Sequence, residues 1–361
     1  MNNKICIVIG TRPEVIKMSP VIRYCVDNNL NFFIVHSNQH YSYEMDKIFF
    51  EELSLPLPNY NLNVGSSTHG NQTGNILIKI EEILLKEKPF VVLVEGDTNT
   101  VLGAALAAIK LHIKVGHIEA GLRSYNRKMP EETNRIVTDH ISDYLFTPTK
   151  IQERILINEG IDKKKILVVG NTIADAIEQN ILIAEEKSKI LGKLKLANSK
   201  FFLITAHRAL NVDHKANLEN LLKSIQALAQ RYSEKIIYPI HPRTRKMIDN
   251  FGFNDYLKEI DVIDPVGYFD FLVLQKNARL ILTDSGGIQE EACILGVPCV
   301  TLRDETERPE TVNVGANMIV GIQKEDVLSG VEHMLKKKKD WKSPYGSGNS
   351  SKKIIDVILN D

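Results

Sequence analysis

The segment ICIVIGTRPE, residues 5–14, decides the fold, because an apolar run passes through a glycine into the start of a helix. Ile5–Ile9 is the short, largely β-branched run that is typical of a buried strand. Gly10 permits a tight turn, and Pro13 suits the first turn of a helix. The segment therefore predicts a strand followed by a helix, which is the repeating unit of parallel α/β proteins.

The same alternation of apolar runs and helical segments continues through the chain. In the first half, strands are expected at residues 5–9, 31–36, 90–95, 114–118, 144–147 and 166–169. The pattern then starts again, with strands expected at residues 201–205, 235–240, 262–263, 280–283, 297–302 and 318–320. Two consecutive doubly wound units are therefore predicted, with a boundary between residues 170 and 200.

The composition excludes several classes of partner. The 361 residues include 45 Lys and Arg against 45 Asp and Glu, so net charge attracts neither nucleic acid nor a membrane surface. The longest apolar run, Val101–Ile109, is far shorter than the roughly 18 residues of a membrane span. No signal-peptide pattern is visible, which predicts a cytoplasmic protein. We expect reduced packing cysteines and no zinc site, because no C-x-x-C pair occurs among Cys6, Cys25, Cys293 and Cys299.

Basic residues follow the first strand, at the sheet edge where open α/β sheets bind ligands. A helix N-terminus attracts anions, and Arg12 and Lys17 can add positive charge there. The alternative is a turn that only caps the helix. Because the turn is not G-x-G-x-x-G, a nicotinamide cofactor has little support.

Carboxylates are expected at the same sheet edge. Asp97 follows the strand at 90–95, Glu119 follows the next strand, and Glu131 and Glu132 open a helix. Taken alone, Asp97 suits an N-cap, and the two helical glutamates suit a helix dipole. Carboxylates from three segments brought to one edge change this interpretation, because packed like charges raise pKa values and are used for proton transfer.

Histidines occupy the equivalent positions in the second half. His207 ends the strand at 201–205, and His241 follows the next strand along the chain. A lone histidine is more often structural, but both of these face the crevice expected of an α/β unit. They are therefore candidates for a polar contact with a ligand.

A glycine turn follows the strand at 280–283. Ser285-Gly286-Gly287 opens a helix, and backbone N–H groups at such a turn can bind a diphosphate. Either Glu290 or Glu291 can hydrogen-bond the hydroxyls of a ribose. Arg308 suits phosphate neutralisation, with a surface turn as the alternative.

Taken jointly, these stretches resemble the non-hydrolysing UDP-N-acetylglucosamine 2-epimerase family over nearly the whole chain. The matching blocks are GTRPEVIKMSP, NQH, EGDTNTVL, GHIEAGLRS, MPEETNRIVTDHISDYLFTPT, VVGNTIADA, TAHR, ILTDSGGIQEEACILGVP and RDETERPETV. The resemblance implies two Rossmann-like doubly wound α/β domains in a GT-B arrangement, with the active site in the interdomain cleft. It implies a catalytic domain at 1–170, with a returning C-terminal helix at 351–361, and a UDP-binding domain at 171–350.

The resemblance also implies an activity. Members of this family interconvert UDP-GlcNAc and UDP-ManNAc, usually as homodimers and without metal or cofactor, and the product supplies ManNAc-type sugars for surface polysaccharides. The route is elimination of UDP to 2-acetamidoglucal and re-addition, since the C2 hydrogen is not adjacent to a carbonyl group. By motif, the implied catalytic residues are Asp97, Glu119, Glu131 and His207, and the implied substrate and UDP contacts are Arg12, Lys17, His241, Ser285, Gly286, Gly287, Glu291 and Arg308.

The sequence departs from the commoner bacterial pattern of this family in two places. Ala209-Leu210 stands where many relatives have an arginine and a glutamate. After Gln39-His40, the candidate regulatory pair, residues 41–46 replace a cationic and amide-bearing stretch. We therefore expect weak or altered activation by a second UDP-GlcNAc.

Other functions compete with this interpretation. A GT-B glycosyltransferase would share the fold and the UDP contacts, but it would not explain the carboxylates together with the GTRPE turn. A hydrolysing 2-epimerase, which usually opens differently after the first strand, and an enzyme acting on a UDP-2-acetamido uronic acid are chemically closer. A non-catalytic sugar-nucleotide sensor would be expected to lose the acid–base carboxylates.

Overall fold

The chain divides into two compact units in the computed structural model, which describes residues 4–38, 49–197 and 199–360. Unit 1 comprises Met1–Glu178 and Tyr345–Asp361, and unit 2 comprises Gln179–Pro344. The units divide between Glu178 and Gln179, inside a helix. The first turns of this helix are bonded to the C-terminal segment of unit 1.

Unit 1 is a parallel sheet with connecting helices. Its strands are β1 (Ile5–Ile9), β2 (Phe32–His36), β3 (Tyr60–Asn61), β4 (Val91–Glu95), β5 (Lys114–Ile118), β6 (Tyr144–Thr147) and β7 (Ile166–Val168). Its helices include α1 (Arg12–Asp27), α2 (His69–Glu87), α3 (Asn99–Lys110), α4 (Pro130–Ile141), α5 (Lys150–Asn158) and the first turns of α6 (Thr172–Lys187). The strand order is β3-β2-β1-β4-β5-β6-β7. The direction of winding therefore reverses between β1 and β4.

Unit 2 repeats this architecture. Its strands are β8 (Phe201–Thr205), β9 (Lys235–Pro239), β10 (Asp261–Ile263), β11 (Leu280–Thr283), β12 (Cys299–Thr301) and β13 (Asn317–Ile319). Its helices include α7 (Ile190–Lys193), α8 (Ala209–Val212), α9 (Lys215–Arg231), α10 (Pro242–Phe251), α11 (Tyr268–Asn277), α12 (Gly286–Ile294), α13 (Pro309–Asn313) and α14 (Lys324–Lys336). The parallel order β10-β9-β8-β11-β12-β13 reverses between β8 and β11. The predicted fold class, doubly wound α/β in both halves, is confirmed.

A C-terminal helix, α15 (Ser350–Asn360), belongs to unit 1 and packs against α1. The backbone N–H groups of Ser350 and Ser351 donate to the buried Asp175 carboxylate at 3.1 and 2.8 Å. Asp175 lies on α6, so this carboxylate ties the start of α6 to the start of α15. Within the described ranges, none of the helices combines the length and the apolar character that crossing a membrane requires.

The central strands are apolar because both faces of each sheet are covered by helices. Every residue of β1 and β4 is buried. Gly10 is required just after β1, because a Cβ atom there would collide with the side chains of Thr100 and Ser37. The cysteines are free and buried, as expected of packing residues.

Candidate active site

In each unit, two of the candidate segments lie where the strand order reverses, which is the usual ligand crevice of an open α/β sheet. In unit 1, the GTRPE turn follows β1 and Asp97 follows β4, its neighbour in the sheet. In unit 2, His207 follows β8 and the glycine turn follows β11, again a neighbouring pair. The sheet topology thus explains why motifs far apart in sequence converge.

The turn after β1 is held by a buried carboxylate. Glu14 Oε2 accepts hydrogen bonds from the N–H groups of Gly10 (2.5 Å) and Thr11 (3.3 Å). Burial raises the pKa of Glu14 to about 7, although bonds from Thr98 and from these two N–H groups oppose the rise. The turn therefore does cap α1, which begins at Arg12, one residue before Pro13. Binding of an anion at the same turn stays a prediction.

The Glu14 carboxyl group should make the stability of the fold depend on pH. The folded-state pKa of Glu14, about 7, lies above the ordinary value of 4.5. Its stabilising contribution is therefore complete below about pH 4.5 and is lost as the pH rises towards 7. Relative to Glu14→Gln, the free energy of unfolding of the wild type should fall by at most about 3 kcal/mol over this range. Thermal unfolding of both proteins at several pH values measures the difference, and a constant difference would contradict the prediction.

Glu119 is the most constrained of the candidate carboxylates. It follows β5 with a φ of 66°, a left-handed conformation that is uncommon for a residue with a side chain. Its Oε1 accepts from Lys17 Nζ at 2.5 Å and from Asn171 Nδ2 at 2.9 Å. Lys17 Nζ also lies 3.2 Å from Glu95 Oε1, and all three charged groups are buried. Lys17, predicted to contact phosphate, is thus placed against two carboxylates.

Asp97 is not the helix cap that the sequence allowed as an alternative. The N-cap of α3 is Thr98, whose hydroxyl accepts from the N–H of Val101 at 3.4 Å. The Asp97 carboxylate is instead paired with Arg135 on α4, and a third of its side chain (33%) is exposed. The amide of Asn134 donates to the carbonyl of Asp97 at 2.9 Å. The Asp97 side chain is therefore fixed by α4 and still open to a ligand.

The two glutamates at the start of α4 have different environments. Glu132 is buried and accepts from the N–H and hydroxyl of Ser124 (3.0 and 2.9 Å) and from the N–H of Tyr125 (2.9 Å). It also pairs with Arg135 at 2.8 Å. Glu131 is half-buried, and none of the described residues hydrogen-bonds or ion-pairs with its side chain. Glu132 therefore organises the loop, and Glu131 is available for other contacts.

In unit 2, a buried aspartate supports the histidine that follows β8. Asp284 Oδ2 accepts from the N–H groups of His207 (3.0 Å) and Arg208 (2.9 Å) and from Asn211 Nδ2 (3.1 Å). Partial burial lowers the pKa of His207, and the Asp284 charge opposes this shift. The His241 ring lies 5.4 Å from the His207 ring, centroid to centroid. The two predicted histidines are therefore neighbours, and sequence reasoning assigned no role to Asp284.

The predicted diphosphate turn opens α12. Ser285 is the N-cap residue, but its side chain makes no capping bond, and Gly286 and Gly287 form the first helical turn. Further along α12, Glu291 Oε2 accepts from the buried Gln275 Nε2 at 2.5 Å. This bond fixes the carboxylate that the resemblance assigns to a ribose.

Arg308 is not in a surface turn. It is buried, and its Nε lies 2.6 Å from Oε1 of Glu290, which is itself fully buried. Next to it, Arg303 donates to both carboxylate oxygens of Glu307 at 2.8 and 2.9 Å. Against burial, which raises it, these bonds and nearby arginine charges lower the pKa of Glu307 to about 2. The charged segment after β12 is therefore held in place by a network of ion pairs.

Some of the predicted residues have less defined surroundings. The guanidinium group of Arg12, half-buried, lies over the ring of Phe49 at 5.7 Å. Gln39 and His40, the candidate regulatory pair, lie outside the described residues. The residues that sequence reasoning missed, Glu95, Asn171, Arg135, Asp284 and Gln275, are partners of predicted ones. For the first four, the signal was their place inside the quoted motif blocks, whereas Gln275 lies outside these blocks.

The fold and the site together define a doubly wound α/β enzyme with a group of carboxylates at one crevice and a glycine turn at the other. The family model for UDP-N-acetylglucosamine 2-epimerase matches residues 24–359, and the chain belongs to this family. The resemblance inferred from the motifs and the isomerase class that it implied are confirmed.

Individual relatives are similar to this chain over nearly its whole length. A UDP-N-acetylglucosamine 2-epimerase from Methanocaldococcus jannaschii is 57% identical over 360 residues, 98% of each chain. The crystal structure of that organism's enzyme in complex with UDP-GlcNAc and UDP has a TM-score of 0.93 at 56% identity, covering 99% of this chain and 100% of the other. A UDP-2,3-diacetamido-2,3-dideoxy-D-glucuronate 2-epimerase from Pseudomonas aeruginosa is 42% identical, covering 98% of this chain and 99% of its own.

Proposed function

We propose that this protein interconverts UDP-GlcNAc and UDP-ManNAc by inverting C2 of the sugar. The observation that carries the proposal is the placement of Glu119, held by Lys17, after β5 and of Asp97 after the adjacent strand β4. The relative bound to UDP-GlcNAc and UDP supports the choice of substrate. The higher identity to the UDP-GlcNAc epimerase (57%) than to the uronate epimerase (42%) favours the same sugar.

The chemistry explains why carboxylates are needed. The hydrogen at C2 is not adjacent to a carbonyl group, so direct removal would be very slow. In the proposed route a carboxylate takes this proton while the bond between C1 and the UDP oxygen breaks, which gives 2-acetamidoglucal and UDP. The UDP oxygen then re-forms the bond to C1, and a carboxylic acid returns a proton to the opposite face of C2. The reaction is redox-neutral, and the proposal includes neither metal nor cofactor.

Three carboxylates of unit 1 take the acid–base roles in this proposal. Asp97, Glu119 and Glu131 would carry protons and balance the positive charge that develops at C1. Arg12 would add positive charge near the departing diphosphate. Lys17 would act through Glu119, since the distance between them is 2.5 Å.

The residues of unit 2 would hold the nucleotide. The N–H groups at Ser285, Gly286 and Gly287 suit the diphosphate, because a helix N-terminus attracts anions. Glu291, fixed by Gln275, suits the ribose hydroxyls. His207 and His241, as neighbouring rings, and Arg308 would complete the contacts with UDP.

The family resemblance extends the proposal beyond the site. We propose a cytoplasmic homodimer that supplies ManNAc-type sugars for surface polysaccharide or glycoconjugate synthesis. Activation by a second UDP-GlcNAc through Gln39 and His40 would be weak or altered, because residues 41–46 lack the cationic character of the activated relatives.

Proton NMR of the purified protein with UDP-GlcNAc in D2O tests the reaction. We expect UDP-ManNAc to appear and deuterium to enter C2 of both epimers, because elimination lets the C2 proton exchange through a carboxylate. Long incubations should also release traces of 2-acetamidoglucal and UDP. Free ManNAc as the main product would indicate hydrolysis, and an unchanged substrate would indicate a binding protein. Epimerisation without deuterium at C2 would contradict the elimination route.

A further inference from the structure

A buried carboxylate that the proposed mechanism does not use lies next to the one it depends on. Glu95 is the last residue of β4 and pairs in the parallel register with Ile118, the residue before Glu119. It is 2% exposed, and the proposed mechanism assigns it no contact with the substrate. Its Oε1 lies 3.2 Å from Lys17 Nζ, the same ammonium group that donates to Glu119 at 2.5 Å.

One ammonium group therefore serves two buried carboxylates. The charge of Glu119 acts on Glu95 directly, and so does the charge of Glu14, from the same helix as Lys17. Asp97 acts in turn on Glu14. The ammonium cannot balance all of these charges at once, so the charge on one carboxylate depends on the charge of its neighbours.

Among the described residues, other charged groups in this part of unit 1 are paired with one another. His117, two residues earlier on β5, is bound to Asp139 at 2.7 Å and to the carbonyl of Gly96 at 2.8 Å. Asp139 also accepts from Arg123 at 2.7 Å. Asn171 donates to Glu119 but carries no charge. A change at Glu95 would reach Glu119 through the shared ammonium and through direct repulsion between the two carboxylates.

We propose that Glu95 is a positioning residue, which sets the charge state of Glu119 by competing for the Lys17 ammonium. The proposal rests on the proposed epimerase activity. Burial raises the pKa of Glu95, and the charge of Lys17 opposes the rise. In its ionised form Glu95 divides the attraction of Lys17, and Glu119 is then a stronger base than it would be with the ammonium to itself. Without the Glu95 carboxylate, Lys17 stabilises the ionised form of Glu119 alone, and the pKa of Glu119 falls.

The pH profile of turnover tests this role. In Glu95→Gln at saturating UDP-GlcNAc, the limb of the kcat profile that reports Glu119 should move to lower pH by about one unit between about pH 5 and about pH 9. The KM should stay within about twofold of the wild type, because the proposed mechanism assigns Glu95 no contact with the substrate. Glu95→Asp keeps a carboxylate but moves it away from Lys17, so it should shift the same limb in the same direction by less.

A control comes from an ion pair near the amino ends of the strands of unit 1. Glu87 is also paired with a lysine, Lys4, next to the start of β1. Glu87→Gln should leave the profile unchanged. If Glu95→Gln does not fold, the Asp variant alone decides. A profile that stays in place in the folded Glu95 variants, or moves equally in Glu87→Gln, would overturn this role while the epimerase proposal stands. No turnover by the wild type would overturn both.

Discussion

Glu119→Gln is expected to lower kcat at least about 10²-fold, the usual contribution of a general acid–base group. Glutamine has nearly the same size, and it keeps an oxygen that can accept from Lys17 and Asn171 in place of the carboxylate. It can neither take nor release a proton in the relevant pH range. Rates of epimer formation by NMR measure the loss.

The fold of Glu119→Gln should persist, so a loss of turnover would report the missing proton transfer and not unfolding. Lys17 keeps Glu95 as an ionic partner when Glu119 becomes neutral, so no buried ammonium is left alone. The unfolding temperature should therefore stay close to that of the wild type, as should the affinity for UDP in calorimetry, since UDP is assigned to unit 2. Near wild-type turnover in Glu119→Gln would return this residue to a purely structural role.

Asp97→Asn is also expected to lower turnover while the fold persists. The helix-cap role is excluded, because Thr98 caps α3. The amide oxygen of asparagine can still accept from Arg135, so the fixed position of the side chain should survive. A loss of turnover at constant stability would then report the missing carboxylate.

The fold could be predicted from the sequence because the strands that form the sheets are continuous apolar runs. The expected segments 5–9, 114–118 and 201–205 coincide with β1, β5 and β8. The short strand β3 was not predicted, because Tyr60–Asn61 pairs only at its edge of the sheet and has no apolar run of its own. Boundaries at β12 and β13 differ by one or two residues from those expected.

The candidate site was only partly predictable, because its side-chain partners come from distant segments. The rule that ligands bind at carboxyl ends of strands located Asp97 and Glu119. It could not show that Lys17, on a helix 102 residues earlier in the chain, would turn towards Glu119 rather than towards an anion. The pairing of Arg308 with Glu290 depends in the same way on tertiary packing. Sequence spacing carries no information about either contact.

The second large effect is expected at the start of α4, where two adjacent glutamates differ in environment. Glu131→Gln should lower kcat at least about 10²-fold with an unchanged unfolding temperature, if this carboxylate carries a proton. It should fold normally because none of the described residues bonds to its side chain. Kinetics by NMR and thermal unfolding of the same preparation measure both quantities.

Glu132→Gln is the matched control, because it removes the neighbouring charge by the same substitution. This carboxylate accepts from Ser124 and Tyr125 and is paired with Arg135. An amide has one acceptor oxygen in place of two, so a buried donor loses its partner and the protein should be destabilised by about 1–3 kcal/mol. The two variants should therefore separate, one losing turnover at constant stability and the other losing stability. Equal stability losses in both, or full turnover in Glu131→Gln, would assign Glu131 to the dipole of α4 and leave Asp97 and Glu119 as the acid–base pair.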